Sequence, residues 1–471
     1  MSESDAFSLV DEFEGADLGD ERRSKRLKQI AERMDQSPAA SLPEMMGDSK
    51  NLQGCYRFLG NEHFSHYDLL EPHFSRTAER AAGYERVLAI HDQTVFECDY
   101  EDQQEAVGKL NAGKSGFVGN FSMLVGGDHR QRPLGVPAVS TIFRQDTSSE
   151  KTSGQEYAEQ DDWWLGHVHS TEGLVGDSAE LVHVMDAGFD SYERFARMEA
   201  AGMQFVARDG NRRKARGIED DDDDTARMAE IAEDIEADIT RKVQLTRRAE
   251  PDAPGRRRRY PARKARAARL MMGSRQIIID KPRYGADERA DQLELTLVRV
   301  WEPDPPEDAD DDGIEWLLVT NTAPADGLDA QGVERVVDDY RARWRIEEYF
   351  KALKTGCGYT DRQLETRSSL LKALGVSVPM AWLLMAMRGW ARHQPQAEAG
   401  WYFDDTSLEV LRHFATRDVP DEATLWEVTL AIAGMGGHQK SNGPPGWTTL
   451  RRGLTKLKKF KRGWQAAQSK K

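Results

Sequence analysis

The sequence predicts a mixed α/β protein: a small helical module, a strand-bearing core, a late β-rich stretch and closing apolar helices. Three observations predict it. Two short apolar runs of β type, residues 86–94 and 181–186, place Asp92 and Asp186 at or near their ends. Residues 208–321 alternate strand-like runs with charged loops. Residues 340–354 contain no Pro or Gly and read as a helix, introduced by Asp338 and Asp339. At about 100° per residue, Tyr340, Arg343, Glu347 and Lys354 share an arc of roughly 60°, and Lys351 joins them.

Size and charge narrow the function. A chain of 471 residues is long enough for two to four domains with a substantial core. The net charge of -16 excludes a uniformly basic nucleic-acid coat, but the charge is segregated. Acidic runs at 219–224 and 308–312 contrast with basic blocks at 256–259, 263–269 and 451–462. A polyanion can therefore be held locally on an otherwise acidic surface. Cys55, Cys98 and Cys357 are widely spaced, which suggests neither a disulfide framework nor a cysteine zinc site. The first residues lack an apolar signal core, and the most apolar stretch, 373–387, is interrupted by Pro379. It reads as a buried helix, and no membrane contact is expected.

Taken in order, Asp20 caps a helix whose apolar side is Leu27, Ile30, Ala31 and Met34, and whose polar side carries Arg22, Arg23 and Arg26. Pro43 marks a helix first turn, and Leu52, Cys55, Tyr56 and Leu59 give a further stripe ending near Gly60. After the Asp92 strand, residues 117–125 and 132–143 read as two more strands joined at Gly126-Gly127-Asp128. Residues 150–164 are polar and then aromatic, and 171–176 and beyond read as a connecting segment. A helix is expected over 191–199 and a short strand over 205–208, ending in Arg208, Arg212, Arg213 and Lys214. A polar helix-like piece at 225–239 and strands at 276–279, 293–300 and 316–319 follow. Residues 364–388 read as an apolar helix, and 424–471 as a helix around Trp426, two Gly-rich turns and a basic tail.

Asp92, Asp186 and Glu347 together form a donor set for phosphodiester chemistry. Hard carboxylate oxygens hold two divalent ions ~3.5–4 Å apart, one beside the attacking oxygen and one beside the leaving oxygen. Mg²⁺ suits such a site, with Mn²⁺ as a substitute, because few carboxylates, water and a substrate phosphate complete its shell. The competing reading of each element is ordinary: a strand-end Asp as a turn cap, and the helix as a solvated face with a Glu347–Lys351 pair. Glu348 competes with Glu347 but lies about 100° further round the helix. His91 and His183 read as packed strand residues.

These residues resemble a known family. Asp92-Gln93-Thr94, Asp186 and the spacing Tyr340-x2-Arg343-x3-Glu347-x6-Lys354 are similar to the DDE transposases of bacterial insertion sequences, in particular the hairpin-forming IS-four branch. Leu18-Gly19-Asp20-x-Arg22-Arg23, Tyr56-Arg57-Phe58-Leu59-x-Asn61, Trp316-Leu317-Leu318-Val319-Thr320, Gly436-Gly437 and Pro445-Gly446 extend the likeness over nearly the whole chain. The resemblance implies an RNase H-like catalytic core with a β-rich insertion, a small N-terminal helical domain and a helical C-terminal region. The corresponding bounds are 1–70 for DNA-end binding, 71–207 and 322–392 for the core, 208–321 for the insertion, and 393–471 for a dimerisation or DNA-contacting region. The implied reaction is cut-and-paste transposition through a hairpin, with Asp92, Asp186 and Glu347 holding the metals. Tyr340, Arg343, Lys351 and Lys354 would grip DNA phosphates, Trp316 would stack a flipped base, and Arg208, Arg22, Arg23 and Arg26 would also touch DNA. Terminal inverted repeats and target DNA are the implied partners, a homodimer the assembly, and the nucleoid of the cytoplasm the location.

One motif departs from the family. Asp186 is followed by Ala187-Gly188-Phe189-Asp190 where the family has Arg-Glu-x-Asp. A catalytically impaired copy that only binds DNA is therefore the alternative.

Overall fold

The computed structural model describes residues 8–38, 40–98, 107–110, 114–143, 153–210, 213–218, 225–247, 262–282, 290–306, 313–439 and 443–468, without the side chains of 153–163, 393 and 401. The acidic runs at 219–224 and 308–312, the basic block at 256–259 and Arg212 lie outside these residues.

The N-terminal module is helical for the local reasons its sequence supplies. Helix α1 (Glu21–Gln36) starts where the Asp20 carboxylate accepts the Arg22 N–H at 2.8 Å, and it buries Leu27, Ile30, Ala31 and Met34. The next stripe is two helices, α2 (Leu42–Met46) and α3 (Ser49–Leu59), because Gly47 adopts φ +81 between them. Tyr56 is exposed, so α3 buries Cys55, Phe58 and Leu59 instead. Helix α4 (His66–Ala81), opened by a Ser65–Asp68 capping box, packs on the sheet.

The twelve strands among the described residues form one sheet. Strands β1 (Arg86–Glu97), β2 (Gly108–Lys109), β3 (Ser115–Gly126) and β4 (Pro133–Ile142) supply an antiparallel meander in which β1 and β4 flank β3. After helix α5 (Ser153–Val175), strand β5 (Glu180–Met185) pairs parallel with β1. Helix α6 (Tyr192–Ala200) then leads to β6 (Gln204–Arg208), parallel to β5. This arrangement is consistent with an RNase H-like core. Next come β7 (Lys214–Gly217), β8 (Ala226–Arg227), helix α7 (Met228–Glu233), β9 (Ile239–Leu245), β10 (Arg266–Asp280), β11 (Gln292–Trp301) and β12 (Glu315–Thr320). They continue the same sheet, because β12 pairs antiparallel with β6 and leads through β11 to β10.

Helix α8 (Ala330–Ala342) starts at the Asp329 cap, earlier than Asp338 and Asp339 suggested. Those two aspartates are ion-pair anchors: Asp339 with Arg86 of β1, and Asp338 with Arg241 of β9 at 2.7 Å. Helix α9 (Trp344–Lys351) and a π turn (Ala352–Gly356) follow, then α10 (Arg367–His393), α11 (Asp405–Phe414), α12 (Leu425–Met435) and α13 (Trp447–Gln468). Residues 367–392 are long and apolar enough to cross a membrane, yet 94% of their most apolar window is buried within the fold, as a core helix requires.

Several elements differ from the sequence reading. The segment from 171 that read as a connection is the last turn of a helix over 153–175; Trp164, Leu165 and Val168 bury its inner side. The helix-like piece at 225–239 shrinks to α7, and the Arg-rich segment at 266–270 is strand, with Ala268 and Leu270 buried and Ala267 and Arg269 exposed. The basic tail is helical over α13.

A string of polar groups crosses the core on the face of β1 opposite Asp92. The Glu172 carboxylate accepts from His183 at 2.9 Å, and His183 meets His91 at 2.8 Å. His91 meets the Ser122 hydroxyl at 2.8 Å, which meets His167 at 3.1 Å, which in turn meets Ser140 at 2.9 Å. His91 and His183 are thus packed strand residues, both fully buried. Burial holds His91 well below the usual histidine range and lowers His167 to about 4. A histidine kept neutral when folded contributes stability that is present above its unfolded pKa of about 6.5 and lost as pH falls towards the folded value. Unfolding free energy should therefore drop between pH 6.5 and 4, with His167 responsible for roughly 2–3 kcal/mol. Urea titrations across that range should show a shallower slope for His167→Gln; an unchanged slope would refute the assignment.

Candidate active site

The parallel pairing of β1 and β5 sets the site. Arg86 to Ile90 pair one-to-one with Glu180 to Val184, and continuing that register by two residues puts Asp92 opposite Asp186. The two aspartates therefore stand at the same level of the sheet, Asp186 just past the end of β5 and Asp92 midway along β1, which continues beside β3 to Glu97 instead of ending at the aspartate as its sequence suggested. Asp186 caps a short turn (Ala187–Phe189), its carboxylate accepting the Gly188 N–H at 2.9 Å. A side chain at 188 would bring its Cβ to 3.0 Å from the Asp186 carboxylate, so glycine keeps this turn close. Arg194 from α6 donates to the Gly188 carbonyl at 3.0 Å, and Asp190 holds the Gly210 N–H at 2.8 Å and Arg213. These contacts brace the Asp186 loop in a chain lacking the family's Arg-Glu pair.

The predicted helix over 340–354 is broken. Tyr340 ends α8, Arg343 sits at a tight turn, and Glu347 lies on α9. Bonds of the i to i+3 type, Arg343 N–H to Tyr340 carbonyl at 3.0 Å and Ile346 N–H to Arg343 carbonyl at 3.2 Å, tighten the chain at that point. Lys354 falls in the π turn. The single 60° arc is therefore replaced by residues converging from three short segments.

Arg343 is the hub of this convergence. Its guanidinium donates to the Asp92 carboxylate at 2.7 Å, with both side chains largely buried. Burial disfavours the cation, but Asp92, Tyr340, Asp186 and Glu347 around it hold its pKa above the ordinary value. Asp92 is pushed up to about 7 by burial, with Asp186 and Glu347 adding to the rise and Arg343 opposing it. Burial also raises the Tyr340 hydroxyl, which Arg208 reaches from the end of β6. Trp316 of β12 meets the Tyr340 ring edge-on at 5.6 Å and is half-buried, in contact with the core. Burial lowers Lys354, against the nearby charges of Glu347 and Glu97, and its ammonium lies 5.4 Å from the Phe96 ring centre.

Lys351 belongs to the other side of α9. It bonds to Glu348 at 3.1 Å and lies over the exposed Trp344 ring, so it does not join the Glu347 side as expected, and the Glu347–Lys351 pair of the competing reading is not formed either. Glu348 also pairs with Arg388 of α10, a partner the sequence reading missed because no local spacing links the two. Burial works against its charge, but Arg388 and Lys351 hold its pKa below the ordinary value. Arg22, Arg23 and Arg26 are not brought to this cluster. They lie on α1, where Arg23 donates to the Leu18 carbonyl and Arg26 to Gln29 and Asn51.

Two parts of the chain match family models. Residues 8–64 match the transposase DNA-binding model, and residues 137–378, just over half of the chain, match the transposase DDE domain. The chain belongs to the DDE transposases. It is accordingly a polynucleotidyl transferase that handles DNA, in a family that generally uses divalent metal ions. Asp186, Trp316, Tyr340, Arg343, Glu347 and Lys354 all fall within the matched domain, whereas Asp92 precedes it.

The donor chemistry of this transposase fits a divalent ion, since Asp92 and Asp186 are adjacent oxygen donors and their mutual repulsion would be relieved by a cation. Among the described residues, however, no group of three or more His, Cys, Asp or Glu side chains stands close enough to hold a metal. The Arg343 guanidinium occupies the Asp92 carboxylate, and it must yield an oxygen for a cation to enter.

Because Glu348 carries ion pairs and Glu347 faces the aspartates, the two glutamates should respond oppositely to amidation. Glu348→Gln is expected to lower unfolding stability by about 1–2 kcal/mol through Arg388 and Lys351. Glu347→Gln should leave stability equal or higher, because it removes one of several crowded negative charges. Parallel urea melts decide, and equal losses in both would contradict this division.

Proposed function

We propose that the chain carries out cut-and-paste transposition in the manner of the hairpin-forming IS-four branch, with Asp92, Asp186 and Glu347 as the carboxylates that hold divalent metal, Mg²⁺ in the first instance. The observation that carries this reading is the register-matched Asp92 and Asp186 facing Glu347 around Arg343. Bound divalent ions supply activation of the attacking oxygen and charge neutralisation at the leaving one.

The chain's own residues do the rest. Asp92, whose carboxylate Arg343 favours in its charged form and a divalent ion would favour in its place, and Asp186 present oxygens at one level of the sheet. Arg343, freed from Asp92, and Lys354 offer cations to the scissile phosphate as negative charge builds on its oxygens. Lys354, largely buried, carries little competing hydration. Tyr340, steadied by Arg208 and Trp316, presents a hydroxyl to the backbone beside the cut. Water adds to phosphorus as the 3′ oxygen leaves; that 3′-hydroxyl attacks a phosphodiester of the opposite strand, expelling the flanking strand's 3′ oxygen and closing a hairpin; a second water reopens it, freeing the 3′-hydroxyl, which joins target DNA by displacing a target 3′ oxygen. Trp316 provides the face on which a displaced base stacks during hairpin closure.

In the same proposal, 1–70 binds the element ends, 71–207 and 322–392 form the catalytic core, 208–321 is the insertion, and 393–471 serves dimerisation or DNA contact. The working assembly is a homodimer on paired ends, acting on chromosomal DNA in the cytoplasm.

A second reading, a protein that binds the ends without cutting, is favoured by Arg343 sitting on Asp92 and by the altered motif after Asp186. Incubating the purified chain with duplexes bearing its element's terminal repeats and Mg²⁺ separates the two. Nicks followed by a slow-running hairpin on a denaturing gel are expected, with a loss of at least roughly a thousandfold in Asp92→Asn and Glu347→Gln. Binding without nicks would establish the second reading, and nicks without a hairpin would remove the hairpin route.

A further inference from the structure

Helix α13 carries seven Lys and Arg residues and no Asp or Glu, in a chain whose net charge is -16. Its buried side is Trp447, Leu450, Gly453 and Leu457. On the opposite side, Arg452, Lys456, Lys459 and Arg462 are exposed and fall within an arc of about 120°. The cations flanking this stripe are already engaged: Arg451 with Asp361 at 2.6 Å, and Lys461 with Asp404. Within the stripe Lys456 donates to the Met435 carbonyl at 2.7 Å, and no ion pair with a carboxylate is made by Arg452 or Lys459 among the described residues.

The helix also spans two regions that handle DNA. At one end Trp447 packs against Gly356 of the turn that carries Lys354, within 3.3 Å of where a Gly356 Cβ would stand, and Arg388 lies over its ring at 4.9 Å. At the other end Arg462 reaches the Glu44 carbonyl at 3.5 Å, beside Gly47 in the N-terminal module. Fifteen residues of helix separate these ends, roughly 22 Å, or about two-thirds of a turn of duplex. Lys458 on the flank has a buried ammonium without a hydrogen-bond partner. Its pKa falls to about 8, chiefly through burial, with the neighbouring Arg462 and Arg33 adding to the fall.

We propose that the outer face of α13 is a duplex-DNA contact that binds backbone phosphates without regard to sequence, bridging the N-terminal helices and the catalytic turn. This rests on the transposase reading and adds a surface to it. The acidic remainder of the chain repels a polyanion, so a one-sided row of unneutralised cations is where a duplex settles. No base is read by such a row, because phosphates alone are touched.

The test is fluorescence anisotropy of the full chain, without divalent ions, against a terminal-repeat duplex and an unrelated duplex over a range of salt. Arg452→Gln/Lys459→Gln, both exposed, should keep the wild-type melting temperature. It should flatten the slope of log affinity against log salt by about 2 on both duplexes, near 0.9 for each phosphate that the variant leaves unneutralised. Arg452→Glu/Lys459→Glu should weaken binding further. An unchanged slope, or a weakening confined to the terminal repeats, would overturn the proposal while leaving the catalytic reading intact. So would unchanged DNA binding with variant-sensitive attachment to phosphatidylserine vesicles. Failure of the wild-type chain to bind any duplex would overturn both.

Discussion

The parallel register between β1 and β5 is the constraint on which the site depends. Two aspartates 94 positions apart in sequence become neighbours because Ile90 faces Val184 and each chain continues two residues further. The antiparallel pairing of β1 with β3 on its other edge, unbroken from Val87 to Glu97, leaves β1 no freedom to shift. Everything else at the site is delivered to that fixed level: Arg208 by β6, Trp316 by β12, and Tyr340, Arg343 and Glu347 by the helices laid across the sheet. The ion pairs of Asp339 with Arg86 and Asp338 with Arg241 attach α8 to β1 and to β9, so the helical and sheet halves are tied on both sides.

The pair of Asp92 and Arg343 resolves an electrostatic conflict. Burial lifts the Asp92 carboxyl to about 7, and the nearby charges of Asp186 and Glu347 add to the rise. Arg343 partly offsets that rise through its ion pair with Asp92. In the proposed mechanism the arginine has a second position, on a phosphate, which a divalent cation at Asp92 would favour by taking over the first.

Much of this was legible in the sequence where local rules decide. The strand ending at Asp186, the Asp20 cap and the burial of 373–387 follow from periodicity and capping, which need only near neighbours, whereas the strand through Asp92 runs on to Glu97 because β3 continues to pair with it. Glu347 was separable from Glu348 by helical angle, and the separation survives the break at Arg343 because both residues lie beyond it on α9. What local rules missed has a tertiary cause. Lys351 turns to Glu348, which Arg388 on another helix also pairs with. Helix α5 shows weak amphipathic patterning and is held by Trp164, Leu165 and Val168 against the core. The strand character of 266–270 was hidden because arginines occupy its outward positions. The helix in α13 was hidden by composition, since a run of like charges reads as solvated tail until Trp447, Leu450 and Leu457 are seen to dock.

The string from Glu172 through His183, His91, Ser122 and His167 to Ser140 bears on how the chain finds its fold. A slip of β1 by one residue would turn every side chain to the opposite face, driving Asp92 into the apolar interior and His91 out to the site. In a purely aliphatic core such an error costs little when one branched residue replaces another. Here a slipped pairing strands several buried hydrogen-bonding groups at once, each at about 1–3 kcal/mol. The string thus acts as a proofreading device for strand register: misaligned intermediates are penalised on the hidden face of the sheet, and the alignment of the two aspartates on the other face is inherited from that selection.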